Sequence, residues 1–354
     1  MRILVTGGAG FIGSAVCRYL IGSTTCSVLN LDKLTYAANL SSLKSIEGSP
    51  NYTFVRGDIG DRSLIRSLLK DYQPHAIMNL AAETHVDRSI DASDEFVQTN
   101  VEGTYRLLEE ARRYFNTLPS SARTDFRFHH VSADEVYGDL GHGEPCPEAT
   151  AYNPSSPYAA SKAASDFFVR AWARTYGIPI LITNCSNNYG PHQFPEKLIP
   201  LIILRALTGE ELPVYGRGDN VRDWLHVEDH ARALALIVQQ GAPNATYNVG
   251  GGAERDNLKV VEQLCNLLDE LVGPLSIGPR TALIRFVEDR PGHDKRYAIN
   301  ADKLRSELGW RPLYDFDTGL RATVHWYLDN EAWWAPLLDR SAPLARLGRQ
   351  QELA

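Results

Sequence analysis

Two side chains in the middle of the sequence have the chemistry and the spacing of a proton-transfer pair. Tyr158 and Lys162 are four residues apart, so on a helix they lie one turn apart on the same face. A phenol with a pKa of about 10 is a weak base at neutral pH, and a neighbouring ammonium favours its ionised form. The pair therefore predicts a base that removes a proton from a hydroxyl group while a hydride leaves the same carbon.

Two adjacent acids, Asp134 and Glu135, precede this pair at the end of a β-rich run, residues 126–132. Carboxyl groups that are buried side by side repel, which tends to keep one of them protonated at neutral pH, so the two can serve as general acid and general base. Neighbours on a regular strand point to opposite faces, however. The assignment therefore requires the backbone to leave the extended conformation here.

Glycine spacing near the N-terminus predicts a dinucleotide site. The β-rich run 2–6 leads directly into Gly7, Gly10 and Gly13 at the start of a helix-compatible stretch. Such glycines permit a tight turn, a close approach of pyrophosphate to the backbone, and close packing of helix on strand. Asp32 follows about twenty positions later, where a carboxylate accepts hydrogen bonds from ribose hydroxyls and repels a 2′-phosphate, so NAD is favoured over NADP.

Residues at later strand ends extend the predicted cofactor site. Asp58 is placed to bond the adenine amine, and the small Ala81 and Ala82 leave room for the cofactor at the carboxyl edge of the sheet. Lys33, directly after Asp32, leaves the choice between NAD and NADP partly open.

The elements that hold these residues alternate along the chain. Helix-compatible stretches separate most of the β-rich runs, which are residues 2–6, 27–32, 52–56, 75–80, 126–132, 179–184 and 246–249. This alternation predicts an α/β fold with a doubly wound parallel (Rossmann) sheet, and the Pro- and Gly-punctuated chain that follows predicts a smaller C-terminal substrate-binding region. The expected boundaries are 1–189 with a return at about 223–252 for the NAD-binding domain, 190–222 and 253–330 for the substrate region, and 331–354 for a tail.

Composition excludes several classes of function. With 354 residues, 44% of them hydrophobic, the chain can form a packed core, and a net charge of -7 without a basic run disfavours nucleic-acid binding. Five scattered cysteines, and histidines such as His85, His192 and His293 without ligand spacing, predict neither a disulfide framework nor a metal site. No apolar run is long enough to span a bilayer and the first residues form a β-rich run, so we expect no membrane association and a cytoplasmic location.

Seven further segments carry a specific resemblance. They read DKLTY from residue 32, AAETHVDRS from 81, SADEVYG from 132, SNNYGP from 186, FPEKLIP from 194, RDW from 222 and DRPGH from 289. With the glycines and the Tyr158–Lys162 pair, the chain resembles the extended short-chain dehydrogenase/reductase family and, within it, the nucleotide-sugar dehydratases that act on dTDP-glucose. The adjacent acids are the discriminating feature, because epimerases of similar build generally lack them.

This resemblance implies three steps on dTDP-glucose with NAD as cofactor. Tyr158 deprotonates the C4 hydroxyl while hydride passes from C4 to NAD⁺. The C4 ketone acidifies C5–H, so Glu135 removes that proton while protonated Asp134 donates to the departing C6 hydroxyl. Hydride then returns to C6 and a proton to C5, which gives a 4-keto-6-deoxy sugar for deoxysugar synthesis such as the route to rhamnose.

The resemblance and the motifs together predict the site residues. Arg222 and Arg290 suit a diphosphate, because a planar guanidinium bonds two oxygens at once. The predicted cofactor contacts are Gly7, Gly10, Phe11, Ile12, Gly13, Asp32, Lys33, Leu34, Thr35, Asp58, Ile59, Leu80, Ala81, Ala82, Thr99, Tyr158, Lys162 and Asn188. The predicted contacts with the nucleotide sugar are Thr84, Ala133, Asn187, Glu196, Lys197, Leu198, Pro213, Tyr215, Arg222, Asn257, Arg290, His293 and Tyr297.

One position departs from the family pattern. The residue before the two acids is a threonine in the family, where its hydroxyl helps to orient the substrate, and here it is Ala133. The Ser132 hydroxyl should face away from the site on a regular strand. Losing a hydrogen bond worth about 1–3 kcal/mol predicts turnover slowed roughly 10- to 100-fold.

Two alternative functions and one assembly remain open from the sequence. The alternatives are a dehydratase or epimerase of another nucleotide sugar, and an NAD-binding sensor without catalysis, which Ala133 favours slightly. Helix-compatible residues 95–115 and 158–176 carry aromatic and aliphatic side chains that suit core packing. The family resemblance implies instead that these helices form the four-helix interface of a homodimer.

Overall fold

A central sheet of seven parallel strands organises the chain, which is described over residues 1–338 by a computed structural model. All seven β-rich runs predicted from the sequence are strands of this sheet, so the predicted fold class is confirmed. In spatial order the strands are β10 (Ala245–Val249), β6 (Ile180–Cys185), β5 (Arg127–Ala133), β4 (Ala76–Asn79), β1 (Arg2–Thr6), β2 (Ser27–Asp32) and β3 (Tyr52–Arg56).

The strand order reverses at β1, which pairs with β2 on one side and β4 on the other. Chain connections leave this point in opposite directions, so a crevice forms outside the carboxyl ends of the strands. The ends of β1, β2, β4 and β5 are the places where the sequence analysis puts the glycines, Asp32, Ala81 and the two acids. The topology therefore brings residues from four distant segments to one edge.

Helices cover both faces of the sheet because neighbouring strand residues point to opposite sides. Ile3 and Val5 pack under α1 and α9, and Leu4 packs under α2, α5 and α7. The helices are α1 (Phe11–Ser23), α2 (Arg62–Tyr72), α3 (Val86–Asp91), α4 (Ser93–Phe96), α5 (Thr104–Thr117), α6 (Ser120–Asp125), α7 (Pro157–Tyr176), α8 (Leu198–Thr208), α9 (Val227–Gln240), α10 (Asn257–Val272), α11 (Asp302–Leu308), α12 (Phe316–Asp329) and α13 (Glu331–Leu338).

The C-terminal half contains a second hydrophobic core, formed by α8, α10 and α12. Short strands accompany it: β7 (Asn187–Tyr189), β9 (Val221–His226) and β11 (Glu254–Asp256) form one small sheet, and β8 (Leu212–Tyr215) pairs with β12 (Ile284–Val287). Between them, α9 and β10 return to the main sheet. Most of the predicted tail, residues 339–354, lies outside the described residues, and within residues 1–338 no helix has the length and apolar character needed to cross a membrane.

Candidate active site

A cleft opens at the carboxyl ends of the central strands. It brings together most of the residues that the sequence predicts for cofactor and catalysis. Those that line it are Gly7, Gly10, Phe11, Ile12, Gly13, Asp32, Lys33, Thr35, Asp58, Ile59, Leu80, Ala81, Ala82, Thr84, Thr99, Ala133, Asp134, Glu135, Tyr158, Lys162, Asn187, Asn188, Glu196 and Lys197.

The glycine turn after β1 has the shape that a bound pyrophosphate requires. Gly7 has a φ of 73°, and a Cβ there would lie 2.7 Å from the backbone of Ala81. A Cβ on Gly13 would lie 2.1 Å from the carbonyl oxygen of Gly7. No side chain caps α1 at Gly10, so the first N–H groups of the helix face the cleft and favour an anion. These residues fit a dinucleotide cofactor.

Asp32 connects the glycine turn to the loop that follows β2. Its carboxylate accepts hydrogen bonds from the backbone N–H of Ala9 at 2.9 Å and of Leu34 at 2.8 Å. Burial raises the pKa of Asp32, and these two hydrogen bonds act in the opposite direction. A carboxylate has about four acceptor positions, so the ribose hydroxyls can still be bound. Leu34 itself has a φ of 61° and does not line the cleft.

Lys33 is held by residues of the cleft wall. Its Nζ donates to Thr99 Oγ1 at 3.1 Å and lies 3.8 Å from Asp58 and 3.9 Å from Glu83. Thr99 lies in a π-helical segment, Val97–Gly103, a rare geometry that occurs often at functional sites. The acids around Lys33 offset its charge, so it does not make this end of the cleft selective for a 2′-phosphate.

The two adjacent acids lie in the same cleft because the backbone turns at the end of β5. The strand ends at Ala133, and a 3-10 helix, Asp134–Tyr137, begins at the next residue. Asp134 and Glu135 both line the cleft as a result. The Tyr137 hydroxyl donates to Asn248 Oδ1 at 2.9 Å, which anchors the turn on β10. The geometry that the sequence analysis required is therefore present.

Electrostatics separate the two acids. Asp134 Oδ2 and Glu135 Oε2 are buried and have no hydrogen-bond partner within residues 1–338. Burial raises the pKa of Asp134 well above its usual range, and the charge of Glu135 raises it further. Burial also raises the pKa of Glu135, but the nearby charges of Arg290, Arg222 and Lys197 oppose this rise. The arrangement thus favours the protonated form of Asp134 more strongly than that of Glu135.

Tyr158 and Lys162 lie in the first turns of α7, where Ser156 caps the helix by accepting from the N–H of Ala159 at 3.1 Å. Lys162 Nζ donates to the carbonyl oxygen of Val131 at 2.7 Å. Burial raises the pKa of Tyr158 well above its usual value, and it lowers the pKa of Lys162. The sequence predicts that Lys162 favours the phenolate of Tyr158, but burial has the larger effect on the pKa of this tyrosine and favours the neutral phenol.

Neither Ala133 nor Ser132 supplies a hydroxyl beside Tyr158 in place of the threonine that the resemblance implies at position 133. Ala133 is buried in an apolar cluster with Phe96 and Tyr158. The hydroxyl of Ser132 donates to Asp166 Oδ2 at 2.9 Å, away from Tyr158, as expected for the preceding residue on a regular strand. The side chain at position 133 thus adjoins the tyrosine but contributes no polar atom.

Arg222 and Arg290, which are predicted to bind the diphosphate, lie near the two acids of the cleft. Their charges lower the pKa of Glu135. Arg222 donates to the carbonyl oxygens of Val221 at 2.7 Å and Asp294 at 2.9 Å, so several of its donors are already used. Arg290 Nε is buried without a hydrogen-bond partner in the described chain. Arg290 therefore offers a ligand a free donor, and Arg222 offers mainly charge.

Other predicted residues lie outside the lining of this cleft, in the C-terminal region and its borders. Asn257 Oδ1 and Asn187 Oδ1 are buried without partners in residues 1–338, and of the two only Asn187 lines the cleft. His293 Nδ1 lies 2.6 Å from Asp289 Oδ1. The predicted residues that do not line the cleft are Leu34, Leu198, Pro213, Tyr215, Arg222, Asn257, Arg290, His293 and Tyr297.

Asp87 is a connecting residue that the sequence analysis missed. Its carboxylate accepts from Arg290 Nη1 at 2.9 Å and from the Tyr215 hydroxyl at 2.8 Å, so it ties α3 to two predicted substrate residues. Glu83 and Phe194 also line the cleft without having been predicted. All three lie in segments that carry the family resemblance, and this resemblance was the only indication that could have found them. No rule of residue spacing identifies any of them individually.

Comparison with known proteins identifies the family. Residues 4–323 match the family model described as GDP-mannose 4,6 dehydratase. The dTDP-glucose 4,6-dehydratase of Escherichia coli is 56% identical over 98% of this chain and 99% of its own length. That of Neisseria meningitidis serogroup B is 57% identical, again over 98% of this chain and 99% of its own. The chain belongs to the dTDP-glucose 4,6-dehydratase family.

Solved structures support this placement in the dehydratase family. The Bacillus anthracis dTDP-glucose 4,6-dehydratase in complex with NAD has a TM-score of 0.84 and 45% identity, covering 95% of this chain and 99% of its own. The Streptomyces venezuelae enzyme with NAD and TYD bound has a TM-score of 0.87 and 44% identity, covering 95% and 100%. The Thermotoga maritima UDP-glucose 4-epimerase is more distant, at 27% identity over 93% of this chain and 99% of its own, with a TM-score of 0.80. The chain is thus an NAD-dependent lyase, and the epimerase and sensor alternatives are not favoured.

Proposed function

We propose that this chain converts dTDP-glucose into dTDP-4-keto-6-deoxyglucose and water. The observation that carries the proposal is the turn at the end of β5, which puts Asp134 and Glu135 into one cleft with Tyr158. An epimerase needs no acid and base for elimination, whereas a dehydratase needs both. The nucleotide and the sugar come from the relatives, whose names specify dTDP-glucose.

Three side chains of the cleft carry out the proton transfers of this reaction. When bound, NAD⁺ supplies a hydride acceptor for C4 that later returns the hydride to C6, and a positive nicotinamide ring that favours the phenolate of Tyr158. Tyr158 takes the proton of the C4 hydroxyl. Glu135 takes the proton from C5, and Asp134 protonates the C6 hydroxyl, which leaves as water. Glu135 then returns its proton to C5, and loss of the proton gained by Tyr158 with reprotonation of Asp134 restores the starting state.

The proposed binding residues divide between the two ends of the site. The glycine turn and Asp32 hold the cofactor, and the residues around Arg222 and Arg290 hold the diphosphate of the nucleotide sugar. Glu196, Lys197 and the other lining residues predicted for substrate face the sugar between them. The orphaned donors and acceptors described above support this division, because a buried polar group without a partner costs free energy unless a ligand binds it.

Turnover of a panel of nucleotide sugars tests the proposed function. The purified chain is incubated with dTDP-, UDP- and GDP-glucose, and the 4-keto product is measured by its absorbance in alkali. We expect dTDP-glucose to give the highest kcat/KM. A clear preference for the UDP- or GDP-linked sugar, or no product from any of them, would contradict the proposal.

We also propose that the chain forms a homodimer through α5 and α7. These helices pack side by side, and together with the segment before α5 they leave large apolar side chains exposed, among them Val97 at 54%, Phe167 at 58% and Tyr176 at 42%. Exposed apolar patches of this kind mark interfaces. A partner that presents the same two helices would complete a four-helix arrangement.

We propose a cytoplasmic location and a role in deoxysugar synthesis. All five cysteines are unpaired and buried, which suits a reducing compartment. The 4-keto-6-deoxy product is the type of intermediate from which 6-deoxy sugars such as rhamnose are made.

A further inference from the structure

Two strips of chain that both line the cleft meet at a single tyrosine. We call residues 33–39, which follow β2, the β2 loop, and residues 190–197, which follow β7, the strap. The Tyr36 hydroxyl in the β2 loop donates to Glu196 Oε1 in the strap at 2.9 Å. No pattern in the sequence assigned Tyr36 a role, although it lies in a segment that carries the family resemblance.

The Tyr36 ring also makes contacts with neighbouring side chains. The guanidinium carbon of Arg88 lies 3.7 Å from the ring centroid, and Phe194 of the strap meets the ring edge-on at 5.5 Å. Arg88 belongs to α3, and its Nε lies 3.8 Å from Glu196 Oε2. Two other segments, the strap and α3, therefore converge on Tyr36 through a hydrogen bond, a cation–π contact and an aromatic contact.

This junction lies at the cleft in which the cofactor is proposed to bind. Thr35 and Ala38 of the β2 loop line the cleft, and so do Phe194 and Glu196 of the strap. The contact between the two strips therefore joins two parts of the cleft wall. A cofactor bound between the glycine turn and Tyr158 is more easily released when the strips separate.

We infer that Tyr36 is a positioning residue that fastens the β2 loop to the strap and so retains NAD during the catalytic cycle. The inference rests on the proposed function, because the hydride removed from C4 has to return to C6 of the same sugar. If the cofactor dissociated between the two steps, the oxidised sugar would remain in the site without a hydride donor. A fastening across the cleft slows that loss without contacting the reacting atoms.

The rate at which bound NAD dissociates tests this inference. Labelled NAD is bound to the whole chain and chased with unlabelled NAD, for the wild type and for Tyr36→Phe and Tyr36→Ala. Because Tyr36→Phe removes the hydrogen bond to Glu196, we expect it to release NAD about tenfold faster or more. Tyr36→Ala also loses both ring contacts and should release NAD faster still.

A matched control separates this effect from the general loss of a tyrosine hydroxyl. Tyr247 donates to Glu307 Oε2 at 2.8 Å on β10, away from the cleft lining. Tyr247→Phe should release NAD at the wild-type rate. The affinity of each variant for dTDP, which lacks the sugar that Glu196 is proposed to face, should equal that of the wild type and so shows that the site is folded.

The possible outcomes distinguish the inference from the proposed function. NAD release from both Tyr36 variants at the wild-type rate overturns the inference and leaves the dehydratase proposal in place. Equal acceleration by Tyr247→Phe also overturns it, because the effect would then not depend on the junction. A wild-type chain that binds no NAD at all would contradict both.

Discussion

At the scale of single residues, Ala133 stands where the family resemblance implies a threonine. Its methyl group adjoins Tyr158 and the cleft, so a threonine there would carry its hydroxyl beside the tyrosine. We expect Ala133→Thr to raise kcat roughly tenfold or more, because it restores a hydrogen bond worth about 1–3 kcal/mol. The measurement is steady-state turnover of dTDP-glucose.

The control for this substitution keeps the shape and omits the hydroxyl. Ala133→Val has the same branching as threonine, so any gain from packing would appear in it as well. We expect no gain from Ala133→Val. An Ala133→Thr variant with wild-type kcat would show that the hydroxyl is not needed in this chain.

Asp134 illustrates a conflict between stability and function. Burial and Glu135 raise its pKa, so the folded state binds this proton more tightly than the unfolded chain, whose Asp pKa is about 3.9. The resulting contribution to stability is fully present below that pH and is lost as pH rises through the raised folded pKa. Asp134→Asn avoids this loss, so we expect its Tm to exceed that of the wild type above neutral pH and the difference to shrink towards pH 4.

Thermal unfolding from pH 4 to 9 checks this expectation, and turnover provides the second reading. Each kcal/mol corresponds to about 2–4 °C in a domain of more than 150 residues. The same variant should lose most of its dehydratase activity, because an amide cannot donate an acidic proton. If Asp134→Asn is less stable than the wild type at pH 8, the buried Asp134 carboxyl does not lower the stability of the protein at that pH.

Residue spacing predicted the reacting groups better than their surroundings. Tyr158 and Lys162 share a helix face, and the glycines form a turn, because both patterns are local. Asp87 and Tyr36 have partners more than a hundred residues away, and only the tertiary fold brings those partners together. The pKa of Tyr158 was also missed, since burial outweighs its lysine neighbour and burial depends on the whole fold.

At the scale of elements, the break between β5 and the 3-10 helix determines the chemistry. Gly138 ends this turn with a φ of 80°, and a Cβ there would lie 2.1 Å from the carbonyl oxygen of Asn153. Gly138→Ala must therefore displace the turn that carries Asp134 and Glu135. We expect kcat to fall at least tenfold, about 1.4 kcal/mol, while NAD affinity stays unchanged because the glycine turn is distant in sequence and on another strand.

Parallel measurement of kcat and of the NAD dissociation constant for Gly138→Ala tests this coupling. Gly141→Ala is the matched control, since Gly141 also has a positive φ, of 51°, but a Cβ there would meet no described atom within 4 Å. Wild-type turnover in Gly138→Ala would contradict the account of the turn. Equal losses in both variants would assign the effect to backbone strain in general.

The elements that could be predicted are those with a repeating pattern. The seven central strands were found because each is a β-rich run, and helix-compatible stretches separate most of these runs. The small sheet of β7, β9 and β11 was not predicted, because strands of three residues such as β7 and β11 are too short to show alternation. The hydrogen bonds of β7 run to β9, which is more than thirty residues further along the chain.

At the scale of the whole molecule, the exposed apolar side chains of α7 and of the segment before α5 predict an assembly. Phe167→Asp should convert the proposed dimer to a monomer, because it places a charge in an apolar contact. Phe286→Asp is the matched control, since Phe286 on β12 is equally exposed, at 58%, and lies away from these helices. The mass in solution, by light scattering, should halve only for Phe167→Asp; a monomeric wild type would contradict the proposal.

The central claim is that one cleft oxidises and then reduces the same sugar, with the hydride kept in between. The most direct test uses dTDP-glucose labelled with deuterium at C4, and either the wild type or Ala133→Thr if turnover is slow. We predict that mass spectrometry and NMR of the product find the label at C6. A product whose C6 carries only unlabelled hydrogen, with the deuterium lost to solvent or still at C4, would contradict the account.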